Sequence, residues 1–419
     1  MPSSLAIHGG DPVIDSNDAR FIWPIITDES REAIIDQLYT SISIYDKSGV
    51  IDTFENQFAH YHSRQYALLS NSGTSAIFSM FEAINLQPGD EVLCPVYTFH
   101  ASVSPLTYTG ASPVFCDSDE QGNISIEEIR KHYSKSTKAV VVTHMWGVPA
   151  KDIVEIKKFC DEHNLWLLED CSHAHGASIY GKKVGSFGHM ASWSLQGQKI
   201  ITGGEGGIML TDDRSLYERA LLQGHYNKRP KQEIDQASPM RKYFLTGMGL
   251  KLRSHPLAVA LALQQFQHLD DFTRQKQVYA QWLHDSFKEY PFLEVPPLQS
   301  DVQNSWYAFN IKYDASKAYE VSRERFVEAL IAEGLIEADI PGSTGLIHEL
   351  PLFTTPNEIM ARLYTKPLPP QGPFPVAEIF YNSIIKLPVW TREEDRGTVQ
   401  AYIDGIRKVA NFIVKEHNL

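Results

Sequence analysis

Apolar runs long enough to cross a membrane are missing from this sequence: none approaches the roughly 20 residues that a spanning helix needs. Basic charge is scarce as well. With 38 Lys and Arg against 51 Asp and Glu, the formal net charge is -13, a field that repels nucleic acid and anionic lipid alike, so no nucleic-acid or membrane partner is expected. The four cysteines, Cys94, Cys116, Cys160 and Cys171, are too few and too scattered for a disulfide scaffold. They read as buried, reduced thiols of a cytoplasmic protein. The first residues, "MPSSLAIHGGDPVIDS", lack a basic stretch followed by an apolar core, so no secretory signal is expected. There is no low-complexity tract and no internal repeat. The long glycine-and-lysine phosphate loop of nucleotide hydrolases is absent, and "GGEGG" does not fit the dinucleotide glycine pattern.

What is present is a chain of 419 residues, 43% hydrophobic and 21% charged, long enough for two or three domains around a large core. Short apolar runs rich in β-formers occur at 66–70 (YALLS), 91–96 (EVLCPV), 139–143 (AVVVT) and 165–169 (LWLLE). Helical patterns lie between them, at 75–86 and 152–164. Buried strands alternating with helices imply a largely parallel sheet covered on both faces, with the active site beyond the carboxyl ends of its strands. From Pro256 to about Phe287 no proline or glycine interrupts the helical pattern, which predicts one long connecting helix. "FLEVPPLQSD" marks a change of domain, 304–419 reads as mixed strands and helices, and 341–375, rich in Pro, Gly and Thr, reads as loops.

Four stretches carry chemistry. In "LLSNSGTSAIFSMFEAI" a strand runs through Asn71-Ser72-Gly73-Thr74-Ser75 into a helix. Free backbone N–H groups, hydroxyls and the positive helix end gather there, which suits a phosphate; ordinary N-capping by Ser72 or Thr74 explains the same residues. "CPVYTFHAS" ends a strand with Tyr97 and Phe99, and an aromatic there either stacks on a planar ligand or belongs to the core. "LWLLEDCSHAHGA" drives four apolar residues into Glu169 and Asp170, carboxylates that need a cationic or hydrogen-bonding partner. His173 and His175 alternate like metal ligands, but no third ligand stands at a metal spacing, and no metal is expected. In "SLQGQKIITGGEGGIML" nothing offers Lys199 a salt-bridge partner before Glu205. An anion cradle, an aromatic stacker, a strand-end carboxylate and a lysine are together the contacts that pyridoxal phosphate requires.

With the motifs "SNSGTSAI", "YTFHAS", "LEDCSHAHGA", "SWSLQGQK" and "GGEGGIMLTDD", the chain resembles sugar aminotransferases of the DegT/StrS type, from "FIWPIITDES" to "IIKLPVWTREED". The resemblance implies the aspartate-aminotransferase-like α/β fold: a large, mostly parallel sheet domain with helices on both faces and a smaller C-terminal α+β domain. The expected division is an N-terminal arm over 1–25, a large cofactor domain over 26–255, the connecting helix over 256–287 and a small domain over 288–419. It implies pyridoxal 5'-phosphate as cofactor, Lys199 as the Schiff-base lysine and Asp170 as partner of the pyridine nitrogen. His173 would meet the phenolic oxygen, where many members carry glutamine. Phe99 would stack on the ring, and Gly73, Thr74 and Ser194 would hold the phosphate.

The stretch "GLKLRSHPLAVALALQQF" resembles the family segment whose asparagine reaches the neighbouring subunit's phosphate site; here that position is Lys251. A homodimer with shared sites is therefore expected, Lys251 serving the partner's cofactor. The same stretch and "LQGQK" are most similar to the branch acting on ketocyclitols such as scyllo-inosose. The implied acceptor is a ketocyclitol, a keto-sugar or a keto-ulosonic acid, and the implied donor glutamate or glutamine. His100, Trp146 and His348 are candidate substrate contacts. Dehydratases of the family replace the Schiff-base lysine with histidine, so Lys199 argues against that activity. A regulatory relative would need a DNA-binding appendage that this acidic chain does not offer.

Overall fold

The computed structural model describes residues 4–15 and 21–417; parts of the expected N-terminal arm (1–3 and 16–20) and the last two residues of the expected small domain lie outside the described residues. Its centre is a seven-stranded sheet. In chain order its strands are β1 (Tyr66–Ser70), β2 (Glu91–Pro95), β4 (Ser112–Cys116), β5 (Thr137–Thr143), β6 (Trp166–Asp170), β7 (Met190–Ser194) and β8 (Gly207–Thr211), with the short β3 (Tyr97–Phe99) standing outside it. The spatial order is β1-β8-β7-β6-β5-β2-β4. The neighbours from β4 to β7 run parallel, and β8 alone is reversed, antiparallel to both β7 and β1.

Successive residues of a strand point to opposite faces, and here both faces are covered. Leu68 joins one buried cluster while Ala67 and Leu69 join another across the sheet. In β5, Ala139 and Val141 face one side and Val140 and Val142 the other. This double burial is why the strands read as continuous apolar runs rather than alternating ones. The helices covering them include α2 (Gly49–Tyr61), α3 (Gly73–Ala83), α4 (Ile153–His163) and α5 (Arg214–Gly224), while α1 (Asp28–Thr40) packs outside them on the helix that begins at Pro256.

The expected single helix over 256–287 is two helices, α6 (Pro256–Gln267) and α7 (Leu269–Phe287). The break is at His268, whose backbone (φ -100°, ψ 3°) leaves the helical range and whose N–H turns back to Gln265 O at 3.1 Å. Leu269 and Phe272 at the start of α7 still bury with Val259 and Ala262 of α6 against the sheet, and only further along does α7, through Tyr279, Ala280, Leu283 and Phe287, enter a separate cluster. That second cluster gathers Phe309 and Ile311 of β9 (Phe309–Tyr313), Ile385 and Leu387 of β11 (Ile384–Leu387), and residues of α8 (Arg323–Ala332) and α9 (Arg396–Glu416). Leu5 and Ile14 from the start of the chain join it, so the first residues fold onto the last.

The expected loop region at 341–375 contains a strand, β10 (Thr344–Leu346), which pairs antiparallel with β3, and short helical turns. Phe353, Phe374 and Phe380 from this part of the chain bury against the sheet side of the molecule.

Candidate active site

The reversed strand determines where the site forms. Because β8 runs antiparallel to both neighbours, β1 ends at the same edge as β5, β6 and β7. Ser70 stands opposite Gly207 and Gly207 opposite Ser194, while Asp170 pairs with Ser192 and Thr143 with Asp170. A cavity of about 410 Å³ opens at this edge, lined among others by Gly73, Thr74, Phe99, Asp170, His173, Ser194 and Lys199. Seven residues expected from the sequence thus share one space.

At the start of α3 the Ser72 hydroxyl accepts from Ser75 N (3.0 Å), and Ala76 N donates to Ser72 O (3.1 Å). Capping and anion binding are compatible here, since the cap occupies Ser75 and leaves the amides of Gly73 and Thr74 facing the cavity edge. Gly73 has no room for a side chain: a Cβ would lie 2.7 Å from Ser194 Cβ. The two loops expected to share an anion therefore touch. Of the two candidate aromatics, Tyr97 is core, fully buried and accepting from Trp146 Nε1 at 3.2 Å. Phe99, at the end of β3, is 40% exposed and lines the cavity.

The two carboxylates closing β6 divide their tasks. Glu169 is fully buried on the far face, accepting from Gly185 N (2.7 Å), Phe187 N (2.9 Å), Gly188 N and His144 Nε2 (3.1 Å). Burial opposes its charge, but these donors hold its pKa below the ordinary carboxylate value. Asp170 faces the cavity. Its Oδ2 accepts from Ser102 Oγ (2.6 Å) and its Oδ1 from Ser172 N (3.0 Å). Thr98 Oγ1 lies 2.9 Å from Ser102 Oγ; with the Ser102 proton given to Asp170, Thr98 donates in turn. The carboxylate is thus fixed in orientation, with acceptor capacity left over.

His173 takes an N–H from Trp146 on Nδ1 (3.4 Å), which places its own proton on Nε2. Burial first, then the charge of Lys199, holds its pKa well below the ordinary value, so the ring is a neutral donor. Tyr307 stacks on it, with ring centroids 4.0 Å apart and planes within 4°. Lys199 Nζ lies 4.7 Å from the centre of the same Tyr307 ring. Burial pushes the Lys199 pKa down to about 8, with the Asp170 carboxylate pulling the other way. A substantial share of this amine is neutral, and therefore nucleophilic, near physiological pH.

Remote parts of the chain hold these groups in place. Trp23 Nε1 donates to Lys199 O (3.0 Å). Ser305 N and Tyr307 N donate to Gly147 O (2.8 Å) and Trp146 O (2.9 Å), and Ser305 Oγ to His173 O (3.0 Å). Gly147 must be glycine, with φ +83° and a Cβ position 2.5 Å from Ser305 Oγ. Trp23, Ser102 and Tyr307 were not expected from the sequence. Ser102 lies inside the "YTFHAS" motif, and nothing local marks the other two. Of the further candidates, Trp146 lines the cavity. His100 and His348 do not: His100 Nδ1 lies 3.3 Å from Ser104 Oγ, and His348 sits edge-on to Phe374. Nor does Lys251, which is exposed beside Leu252, whose carbonyl accepts from Asn71 N (2.7 Å).

With this arrangement in view, residues 26–403 match the model of the DegT/DnrJ/EryC1/StrS aminotransferase family. The chain belongs to that family. Among similar proteins, the aminotransferase is 31% identical over 309 residues to GDP-perosamine synthase of Escherichia coli O157:H7, covering 74% of this chain and 81% of the relative. It is 28% identical over 346 residues to L-glutamine:2-deoxy-scyllo-inosose aminotransferase of Streptomyces kanamyceticus, covering 79% and 78%. An aminotransferase structure from Psychrobacter cryohalolentis superposes with a TM-score of 0.83 at 27% identity, over 94% of this chain and all of the other. The protein is a pyridoxal phosphate-dependent aminotransferase of fold type I. The residues present fit the cofactor: Gly73, packed too closely on Ser194 for a Cβ, and Thr74 open a helix whose first amides suit a phosphate, and Asp170 and Lys199 line the same cavity.

Proposed function

We propose that this aminotransferase takes an amino group from glutamate or glutamine and delivers it to the ketone of a cyclitol or sugar. The observation that carries the residue assignments is the convergence of Lys199, Asp170, Phe99 and the Gly73–Thr74 amides on one cavity. The likeness to an L-glutamine:2-deoxy-scyllo-inosose aminotransferase supports the donor and acceptor classes.

When bound, pyridoxal phosphate supplies an electrophilic carbon and a ring that accepts electrons. In the proposed roles, Lys199, with its pKa near 8, would hold the cofactor's aldehyde carbon and, as a free amine, would carry a proton to and from the substrate carbon. Asp170, fixed by Ser102 and the Ser172 amide, would keep positive charge on the ring nitrogen. His173 would offer its Nε2 proton to the phenolic oxygen, Phe99 would cover the ring, and Gly73, Thr74 and Ser194 would hold the phosphate. Trp146 and Tyr307 wall off water. Lys199 stands where the family's dehydratases carry histidine, which supports amino transfer over dehydration. We also take the division into a cofactor domain over 26–255 and a small domain over 288–419, and a cytoplasmic location, as part of this reading.

The working unit in this proposal is a homodimer. Ile35, Leu38, Tyr39 and Ile42 on and beyond α1 are exposed in the single chain, as are Tyr243, Leu245, Met248 and Leu250 beside Lys251. So many exposed large apolar side chains suit a second copy. Lys251 then reaches the partner's phosphate. Mixing Lys251→Ala with Lys199→Ala tests this, because mixed dimers hold one site missing both groups and one missing neither. Activity should reappear once subunit exchange is confirmed by mass; exchange without recovery, from an inactive Lys251→Ala variant, refutes the shared site. The reaction itself is tested by following visible absorption of the purified protein. Glutamate or glutamine should bleach it and a ketone from a cyclitol and sugar panel should restore it, with borohydride fixing the cofactor on Lys199. Protein that stays colourless with added cofactor refutes the assignments.

A further inference from the structure

A ping-pong transferase uses one cavity for two substrates in turn, and in the proposed reaction they differ beside the reacting carbon: the donor amino acid brings a carboxylate there, the ketone of a cyclitol or sugar is flanked by hydroxyls. This inference rests on the aminotransferase reading above. Among the lining residues the cations are Lys199 and Lys386, with no arginine, while Asp170, Glu205 and Asp339 are anionic. Lys199 is taken by the chemistry, so Lys386 is what this chain offers a carboxylate.

Lys386 sits on β11 and makes an isolated bridge with Asp339. Lys386 N donates to Asp339 O (2.8 Å) and Asp339 N to Lys386 O (3.0 Å), so the two backbones are locked together. Only their side chains are free to move. Lys386 Nζ lies 3.0 Å from Asp339 Oδ2, and the side chains are 32% and 54% exposed. A pair this exposed is weak, and a lysine carries its charge on a long flexible stem. A fixed unpaired cation would stand uncompensated against a neutral sugar, and a permanently paired one would set Asp339 against the donor. A pair that opens meets both demands. We propose that Lys386 is a charge switch: it leaves Asp339 to bind the donor's carboxylate and returns to it in the second half-reaction, when the closed pair reads hydroxyls of the acceptor. A hydroxyl both donates and accepts, so it can bridge Asp339 and Lys386 without breaking them apart. Lys386 is also close enough for its charge to act on His173, so the switch operates beside the reacting centre.

The test uses the holoenzyme, with glutarate as a non-reacting carboxylate followed by calorimetry, and the two half-reactions measured separately. Lys386→Gln, folded by circular dichroism, should bind glutarate roughly tenfold to a hundredfold more weakly. It should lose more in the donor half-reaction than in the acceptor half-reaction. Lys386→Arg should restore binding. Asp339→Asn, which frees the lysine, should bind glutarate more tightly and raise KM for the ketone alone. Wild-type protein that accepts an amino group yet binds glutarate no better than Lys386→Gln overturns the switch and leaves the aminotransferase reading standing. Weaker glutarate binding by Asp339→Asn also overturns it, because Asp339 would then be positioning the lysine rather than competing for it. A wild-type enzyme that takes an amino group from no donor overturns both.

Discussion

Two lysines of this molecule are alike in their electrostatics and opposite in their access. Burial pushes Lys199 down to about 8 and Lys276 down to about 7. On pKa alone Lys276, on α7, is the better reagent. Yet Lys276 is only 3% exposed, and its Nζ donates to Trp306 O at 2.8 Å. Its neighbour Gln277 accepts from Trp306 Nε1 (3.0 Å) and donates to Asn304 O. Trp306 has φ +52°, and the residue after it is Tyr307, stacked on His173. Lys199 points into the cavity; Lys276 props up the segment that forms its wall. A lowered pKa therefore marks desolvation, and access decides whether desolvation becomes reactivity.

The most severe way to break this contrast is to exchange the lysines' fates. Lys199→Ala should lose turnover by about 10⁴-fold or more while still binding cofactor through the cradle and Asp170. Substantial residual turnover, measured as amino transfer, would make another lysine the reagent, with Lys276 the first suspect. Asp170→Asn is nearly isosteric and should lose on the order of 100-fold in rate with unchanged folding. Near-normal transfer in that variant would mean the carboxylate is no more than a structural partner of Ser102.

The pH dependence sharpens the comparison further. Cofactor uptake by cofactor-free protein should climb about tenfold from pH 7 to pH 9 and then level off, as Lys199 passes its pKa near 8. An uptake rate still climbing at pH 10 would show an ordinary, unburied lysine. Stability reports the other lysine. A pKa lower in the folded than in the unfolded chain means the unfolded chain binds more protons between the two values, so stability rises with pH there. For Lys276 that window opens near pH 7. Relative to Lys276→Met, the wild-type chain should gain roughly 2 kcal/mol in denaturant unfolding between pH 7 and pH 9. The same variant leaves Trp306 O without its donor and should slow turnover less than about tenfold through a loosened Tyr307. A pH-independent stability difference would mean that Lys276 does not titrate in this range.

The legible parts of the site are those where chemistry and local structure coincide. The four expected strands appear within a few residues of their ranges, and the strand-to-helix turn at Asn71–Ser75 opens a helix capped by Ser72 at the cavity edge. The antiparallel β8 was not anticipated. Its five residues, "GIMLT", are not among the expected strands, and nothing in them records a direction, which the connection from β7 imposes. The supposed single helix over 256–287 was misread for a related reason. The chain turns at His268 so that both Val259 and Leu269 stay on the sheet cluster while the far end of α7 enters the second one, a demand absent from the local pattern.

The sequence by itself determined the candidates, Lys199, the strand-end carboxylates and the strand-to-helix turn at Asn71–Ser75, because each is specified by residue type against a short strand or helix end. The tertiary structure gave the physical separation of Glu169 from Asp170 and of Tyr97 from Phe99, which the family resemblance implied but the local pattern did not, and it alone decided which distant segments close the cavity. Adjacent residues on one strand face opposite sides of the sheet, so Glu169 is enclosed by loop amides while Asp170 meets the cavity. Tyr307 on His173, Trp23 on the Lys199 carbonyl and the Asp339–Lys386 pair join residues far apart along the chain. Such contacts follow from which faces are buried and how the strands are ordered, a property of the whole packed molecule that no short window of sequence contains.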